Sequence, residues 1–89
     1  MATVRFTQNI QRHVTCPALS VGGESVRDVL EQYFENIPPA RGYVLDDQGA
    51  LRTHMAIFID GQPIADRRRL SDPVPASSTI DVMQALSGG

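Results

Sequence analysis

The chain has no lysine: all eight basic residues are arginine, set against ten acidic ones. The resulting net charge of −2 argues against a general nucleic-acid binder, which needs clustered positive charge. It also leaves no side-chain amine to act as an acyl acceptor. A single cysteine, Cys16, excludes an intramolecular disulfide and a zinc cluster built from cysteines. Followed by Pro17 in an expected turn, Cys16 reads as a structural thiol rather than a nucleophile. No apolar run approaches the ~20 residues of a membrane span. The first residues lack the basic-then-apolar pattern of a secretion signal, so the cytoplasm is the expected compartment. Motifs for chemistry are missing too. There is no Gly-rich phosphate loop, paired-carboxylate motif or Ser/His/Asp arrangement, and Gly22-Gly23 is too sparse for a nucleotide fingerprint. His13 and His54 have no ligand or catalytic partner at suitable spacing, so no metal site is expected.

What is present is ordinary globular material. With 42% hydrophobic and 20% charged residues, the 89-residue chain can fold rather than stay disordered. Its length fits one domain, since domains typically run to about 100–150 residues. Val4 to Ile10 alternates apolar and polar and predicts a strand with Val4 and Phe6 inward. Gln11 to His13 reads as a turn, and Ala18 to Val21 as a weaker strand completing an N-terminal hairpin. Ser25 looks like a helix cap, with Asp28 suited to the positive end of the helix dipole. Val26, Val29, Leu30, Tyr33, Phe34 and Ile37 then form one helical stripe, which Pro38-Pro39 ends.

Tyr43 to Leu45 is a short strand candidate, followed by a turn at Asp46 to Gly49. His54 to Asp60 is the strongest strand pattern, with a tight turn at Asp60-Gly61 and a short return strand at Gln62 to Ile64. The run Asp66-Arg67-Arg68-Arg69 reads as solvated turn surface, with docking to an acidic partner rim as the competing reading. Ile80 and Val82 alternate with Asp81 and Met83 in a last strand. Strands around one amphipathic helix predict an α+β domain, the helix on one face of a mixed sheet.

Beyond that strand stand Ser87, Gly88 and Gly89. Glycine reaches both halves of φ/ψ space and has the thinnest profile, so the expected division is a domain over residues 1–86 and a flexible tail over 87–89. Such an arm carries one reactive group, the α-carboxylate of Gly89. A glycine pair also arises by chance, and the end of a chain is commonly disordered without being functional.

The hairpin, the Ser-capped helix, the strong strand with its tight turn and the last strand running into Gly88-Gly89 resemble the MoaD/ThiS family of ubiquitin-like sulfur carriers. The stretch Leu51 to Gly61 is most similar to the CysO-like branch. The resemblance covers essentially the whole chain, with the diglycine as its specific motif. It implies a β-grasp fold, with a mixed sheet of four to five strands packed on one main helix. Two departures are visible. Pro75-Ala76-Ser77-Ser78 stands where many carriers have an Asp-Gly-Asp turn, and Gln84 to Ser87 lacks the tail proline common among them. Neither touches the diglycine.

The resemblance further implies that an adenylating, ubiquitin-activating-type enzyme uses ATP on the Gly89 carboxylate, with Gly88 helping it thread a narrow channel. A sulfur donor then converts the adenylate to a thiocarboxylate for a downstream sulfur-accepting enzyme. The carrier itself would hold no cofactor, perform no catalysis, and be a monomer when free, with neither nucleic acid nor membrane as partner. A modifier joined through Gly89 to lysines of other proteins is the alternative, as is an interaction module with an inert tail. If Ile57 and Ile59 face the helix, alternation puts Phe58 outward; Ile80 and Val82 inward likewise put Met83 outward. Phe58 and Met83, with Leu86 and Ser87 at the root of the tail, are therefore the expected docking residues. Cover by a loop or a second copy is the competing reading for Phe58 and Met83.

Overall fold

The computed structural model describes residues 1–12 and 14–84. His13 and the stretch 85–89 therefore lie outside the described residues, and with them the expected turn histidine, Leu86, Ser87, Gly88 and Gly89.

One helix, α2 (Val26–Asn36), packs on one face of a five-stranded sheet. The strands are β1 (Ala2–Phe6), β2 (Leu19–Val21), β3 (Met55–Ile59), β4 (Gln62–Pro63) and β5 (Thr79–Gln84), in the spatial order β2-β1-β5-β3-β4. Only the central β1–β5 pair is parallel, so the sheet is mixed as expected. The helix begins where its sequence says it should. Ser25 Oγ accepts the Asp28 amide at 3.2 Å, and Ile37, preceding Pro38, closes the C-terminal end. Its buried side chains are Val26, Val29, Leu30, Tyr33 and Phe34. They meet Val4, Ile57, Ile80 and Val82, each no more than 1% exposed. Burying one such side chain is worth about 1.5–3 kcal/mol relative to leaving it in water.

Tyr33 lies at the middle of this layer, its ring 4.9 Å from that of Phe6. Its hydroxyl donates to the Pro17 carbonyl at 2.7 Å, which ties the helix to the segment before β2. Cys16 is wholly buried beside it. Burial pushes the thiol pKa up, consistent with a structural role.

Two expected strands are corrected. The first ends at Phe6, and Gln8–Gln11 forms a helical turn, α1, in place of further strand to Ile10. This turn delivers Ile10 to the core while Gln8 stays exposed. Tyr43 to Leu45 is not a strand either. After a 3₁₀ turn at Pro38–Ala40, residues Arg41–Val44 form a second helical turn, α3, which leaves Tyr43 exposed and Val44 buried. Only Leu45 is bridged to a neighbour, Leu51 across the Asp46–Gly49 turn.

The β3–β4 turn is tight as expected, with Asp60 at φ 49° and Gly61 at φ 87°. Positive φ at both central residues matches the twist of the flanking strands. The charged run that follows is a built turn rather than loose surface. The Asp66 carboxylate accepts the amides of Arg68, Arg69 and Ser71 as well as the Ser71 hydroxyl. Asp72 accepts the amides of Ala65 and Asp66. From α2, Arg27 donates to the carbonyls of Gly49, Arg68 and Arg69. Arg67 reaches back to the Met55 carbonyl at 2.7 Å. Leu70 sits at φ 57° and is fully buried, so its packing holds a backbone conformation that a leucine rarely adopts. Among the described residues no helix is long and apolar enough to cross a membrane.

Candidate docking face

Alternation along the central strands assigns their side chains to two faces. On β5, Ile80 and Val82 point to α2 and are fully buried, which sends Asp81 and Met83 to the other side. On β3, Met55 and Ile57 are buried, and Ala56 and Phe58 take the outer face, both half-buried. Ile59, expected inward, packs against the core while remaining partly exposed. Met83 is 37% exposed, one of the few large apolar side chains so open to water among the described residues.

The strand register sets these residues in rows. Phe58 pairs with Pro63 on β4 and with Asp81 on β5, and Asp81 pairs in turn with Arg5 on β1. Pro63, Phe58, Asp81 and Arg5 thus cross four strands in one line. The adjoining row, closer to the end of β5, holds Ala56 opposite Met83. An apolar half made by Ala56, Phe58, Pro63 and Met83 therefore abuts one ion pair. Arg5 donates from Nε to Asp81 Oδ1 at 2.8 Å and from Nη2 to Oδ2 at 3.2 Å. Asp81 is 20% exposed at its side chain and Arg5 58%, so the carboxylate is mostly covered while the arginine side chain stays open to water. Nothing local in the sequence marks Arg5 and Asp81 as site residues. Their outward phase was legible in each strand, but the parallel pairing that joins them spans 76 positions.

Strand β5 leads from this face toward residues 85–89. At its end an open cleft of about 210 Å³ is lined by Ile10, Tyr43, His54, Met55 and Gln84. A larger hollow of about 320 Å³ lies between Met1, Gly23, Val74 and Ala76, at the other end of the β1–β5 pair. Among the described residues no group of three or more His, Cys, Asp or Glu could hold a metal ion. The face offers contact area and one fixed cation rather than a set of reacting groups.

No family model and no curated protein matches the sequence. Solved structures do match in shape over the whole chain. A chain of the Amycolatopsis orientalis BexX/CysO complex superposes with a TM-score of 0.83 at 13% identity, covering 100% of both chains. CysO from Mycobacterium tuberculosis gives 0.81 at 15% identity, covering 97% of this chain and all of its own. Small archaeal modifier protein 1 from Methanosarcina acetivorans gives 0.78 at 24% identity, covering 99% of this chain and 95% of its own. The fold is the ubiquitin-like β-grasp. At identities this low the likeness in shape shows the fold alone, and the β-grasp agrees with the fold implied by the MoaD/ThiS resemblance.

Proposed function

We propose that this protein is a ubiquitin-like sulfur carrier whose Gly89 carboxyl is the working group. The observation that carries this reading is the placement of the apolar face. Phe58 and Met83 lie on the outer side of the two strands, β3 and β5, the second of which continues into the Gly88-Gly89 sequence. A contiguous apolar patch on the strand whose sequence runs on to the reactive carboxyl is what a protein-sized cosubstrate needs.

The chemistry runs through partners. A carboxylate is a poor electrophile, so an adenylating enzyme joins it to the α-phosphate of ATP and releases pyrophosphate. A sulfide donor then attacks the acyl-adenylate and AMP leaves, which gives the thiocarboxylate directly. A persulfide donor instead forms an acyl disulfide, and a second thiol cleaves its S–S bond to release the thiocarboxylate and leave a disulfide on the donor. A downstream enzyme accepts that sulfur. In this reading the chain contributes a reactive end and a docking surface, and general acid–base work belongs to the partners. Two glycines at the end pass through a channel in which a Cβ would clash. Support comes from the matching CysO chains, one of them in a complex with BexX.

A second reading is favoured by the match to small archaeal modifier protein 1. There the same activated carboxyl is transferred to lysines of other proteins, and this lysine-free chain acts only as a donor from its tail. Intact mass of the protein isolated from its own host separates the two. Sulfur in place of one oxygen at Gly89 supports the carrier, and isopeptide-linked adducts support the modifier. A Gly89 carboxyl unchanged in every growth condition, including sulfur limitation, rejects both.

A further inference from the structure

The Arg5–Asp81 pair leaves one half of a recognition element unused. A guanidinium offers two bidentate edges, a side-on fork from Nε and one Nη, and an end-on fork from the two Nη groups. Asp81 occupies the side-on fork with both of its oxygens. The end-on fork has no acceptor among the described residues, and the side chain is 58% exposed. Asp81 also fixes the plane of the guanidinium, so a partner meets a pre-set donor pair rather than a side chain still to be ordered. The pair borders the apolar half of the face directly, Phe58 being the cross-strand neighbour of Asp81. A partner that covers Phe58 and Met83 therefore covers these N–H groups as well. Desolvating them without acceptors would cost binding, and two oxygens in one plane at fork spacing satisfy them together. A carboxylate is the side chain with that geometry.

We infer that Arg5 is a specificity-determining residue that offers its end-on fork to a carboxylate on the adenylating partner, with Asp81 as its positioning residue. This rests on the carrier reading, and it names the chemistry of the partner's surface: an apolar hollow for Phe58 and Met83 bordered by an acidic side chain. On docking, Arg5 lies between two carboxylates, each using one edge. An exposed cross-strand ion pair serving the sheet alone contributes little to its stability and would work as well with its two residues exchanged.

That exchange is the test. ATP–pyrophosphate exchange by the ubiquitin-activating-type enzymes of the same host is measured against carrier concentration, with a thermal melt for each variant. The variants are Arg5→Met, Arg5→Lys, Asp81→Asn and the swap Arg5→Asp with Asp81→Arg. Arg5→Met is expected to raise KM for the carrier about tenfold or more while kcat at saturation is kept. Arg5→Lys retains the charge without the planar fork and is expected to lose nearly as much. Asp81→Asn is expected to give a smaller rise in KM. The swap is expected to restore the melting temperature but not KM, because the guanidinium now stands one strand away. A KM within twofold of wild type for Arg5→Met overturns the inference, and so does a swap that restores KM. If wild-type carrier drives no exchange with any of the host's enzymes, the carrier reading itself fails and takes this inference with it. That failure is recognised by its appearance in the unmutated protein.

Discussion

Phe58 and Met83 lie on a diagonal of the β3–β5 ladder, because Phe58 pairs with Asp81 and Met83 with Ala56. Diagonal neighbours stand about 7–8 Å apart, within reach of an aromatic ring. The two side chains therefore act as one surface rather than as separate exposed residues. In the proposed complex they are the apolar anchors. Phe58→Asp or Met83→Asp is expected to weaken binding to the adenylating partner by about 1–3 kcal/mol, the range for losing an interface anchor. Met83→Asp should leave the melt near wild type, since surface changes usually stay within about 0.5 kcal/mol. Phe58→Asp should lower it somewhat more, as it removes a half-buried ring and places a second carboxylate opposite Asp81. A pull-down beside a melt for each variant decides the point. Normal binding by both variants would move the docking surface elsewhere.

The tail carries a separate prediction. Gly88→Ala, or removal of Gly89, is expected to abolish thiocarboxylate formation while the melting temperature stays within a degree or two of wild type. Both positions follow β5 in the sequence, and among the described residues the last buried core side chain is Val82. The check is product mass in a reconstituted sulfur-transfer assay. Full transfer by the truncated protein would falsify the carrier reading.

What the sequence revealed depended on whether the signal was local. The Ser25 cap, the apolar stripe of α2 and the break at Pro38 are all carried within one short segment, and all are found. Strand phase is local too, so the outward phase of Phe58 and Met83 is legible within β3 and β5 alone. The helical turns at Gln8–Gln11 and Arg41–Val44 were not legible, because four residues carry too little periodicity to distinguish a turn of helix from a strand end. The pairing of Arg5 with Asp81 and the reach of Arg27 to three carbonyls depend on chain paths far apart in sequence. Arginines of this kind look like surface charge until the fold places an acceptor beside them.

Arg27 is accordingly expected to matter more for stability than its place on the polar side of α2 suggests. Arg27→Met keeps the aliphatic stem and removes the donors to Gly49, Arg68 and Arg69, leaving two loops without their shared clamp. Hydrogen bonds made by charged groups contribute about 1.5–3 kcal/mol, and a loss of that order is expected in urea melts. Loops 46–49 and 66–71 should also show faster amide exchange than in wild type. An unchanged midpoint would mean that Asp66 and Asp72 hold the second loop without help.

Asp66 gives the pH prediction, and its sign follows from the direction of its shift. Hydrogen bonds from the Ser71 hydroxyl and then from the Arg69 amide hold its carboxyl at about 2, below the ordinary 3.8. The unfolded chain therefore takes up this proton at a higher pH than the folded one does. Between the two values the unfolded state binds more protons, so stability rises with pH in that window. The contribution is fully present above about pH 4–5 and is lost as pH falls through about 2. Asp66→Asn removes the ionisable group and weakens the turn that presents Arg68 and Arg69. The variant is expected to melt lower than wild type at pH 7 and to approach it as both are acidified toward pH 2. Other carboxylates titrate in the same range, so the informative quantity is the difference between the two melting curves rather than either slope. A gap that stays constant from pH 7 to pH 2 would show that the Asp66 charge adds nothing to its hydrogen bonds.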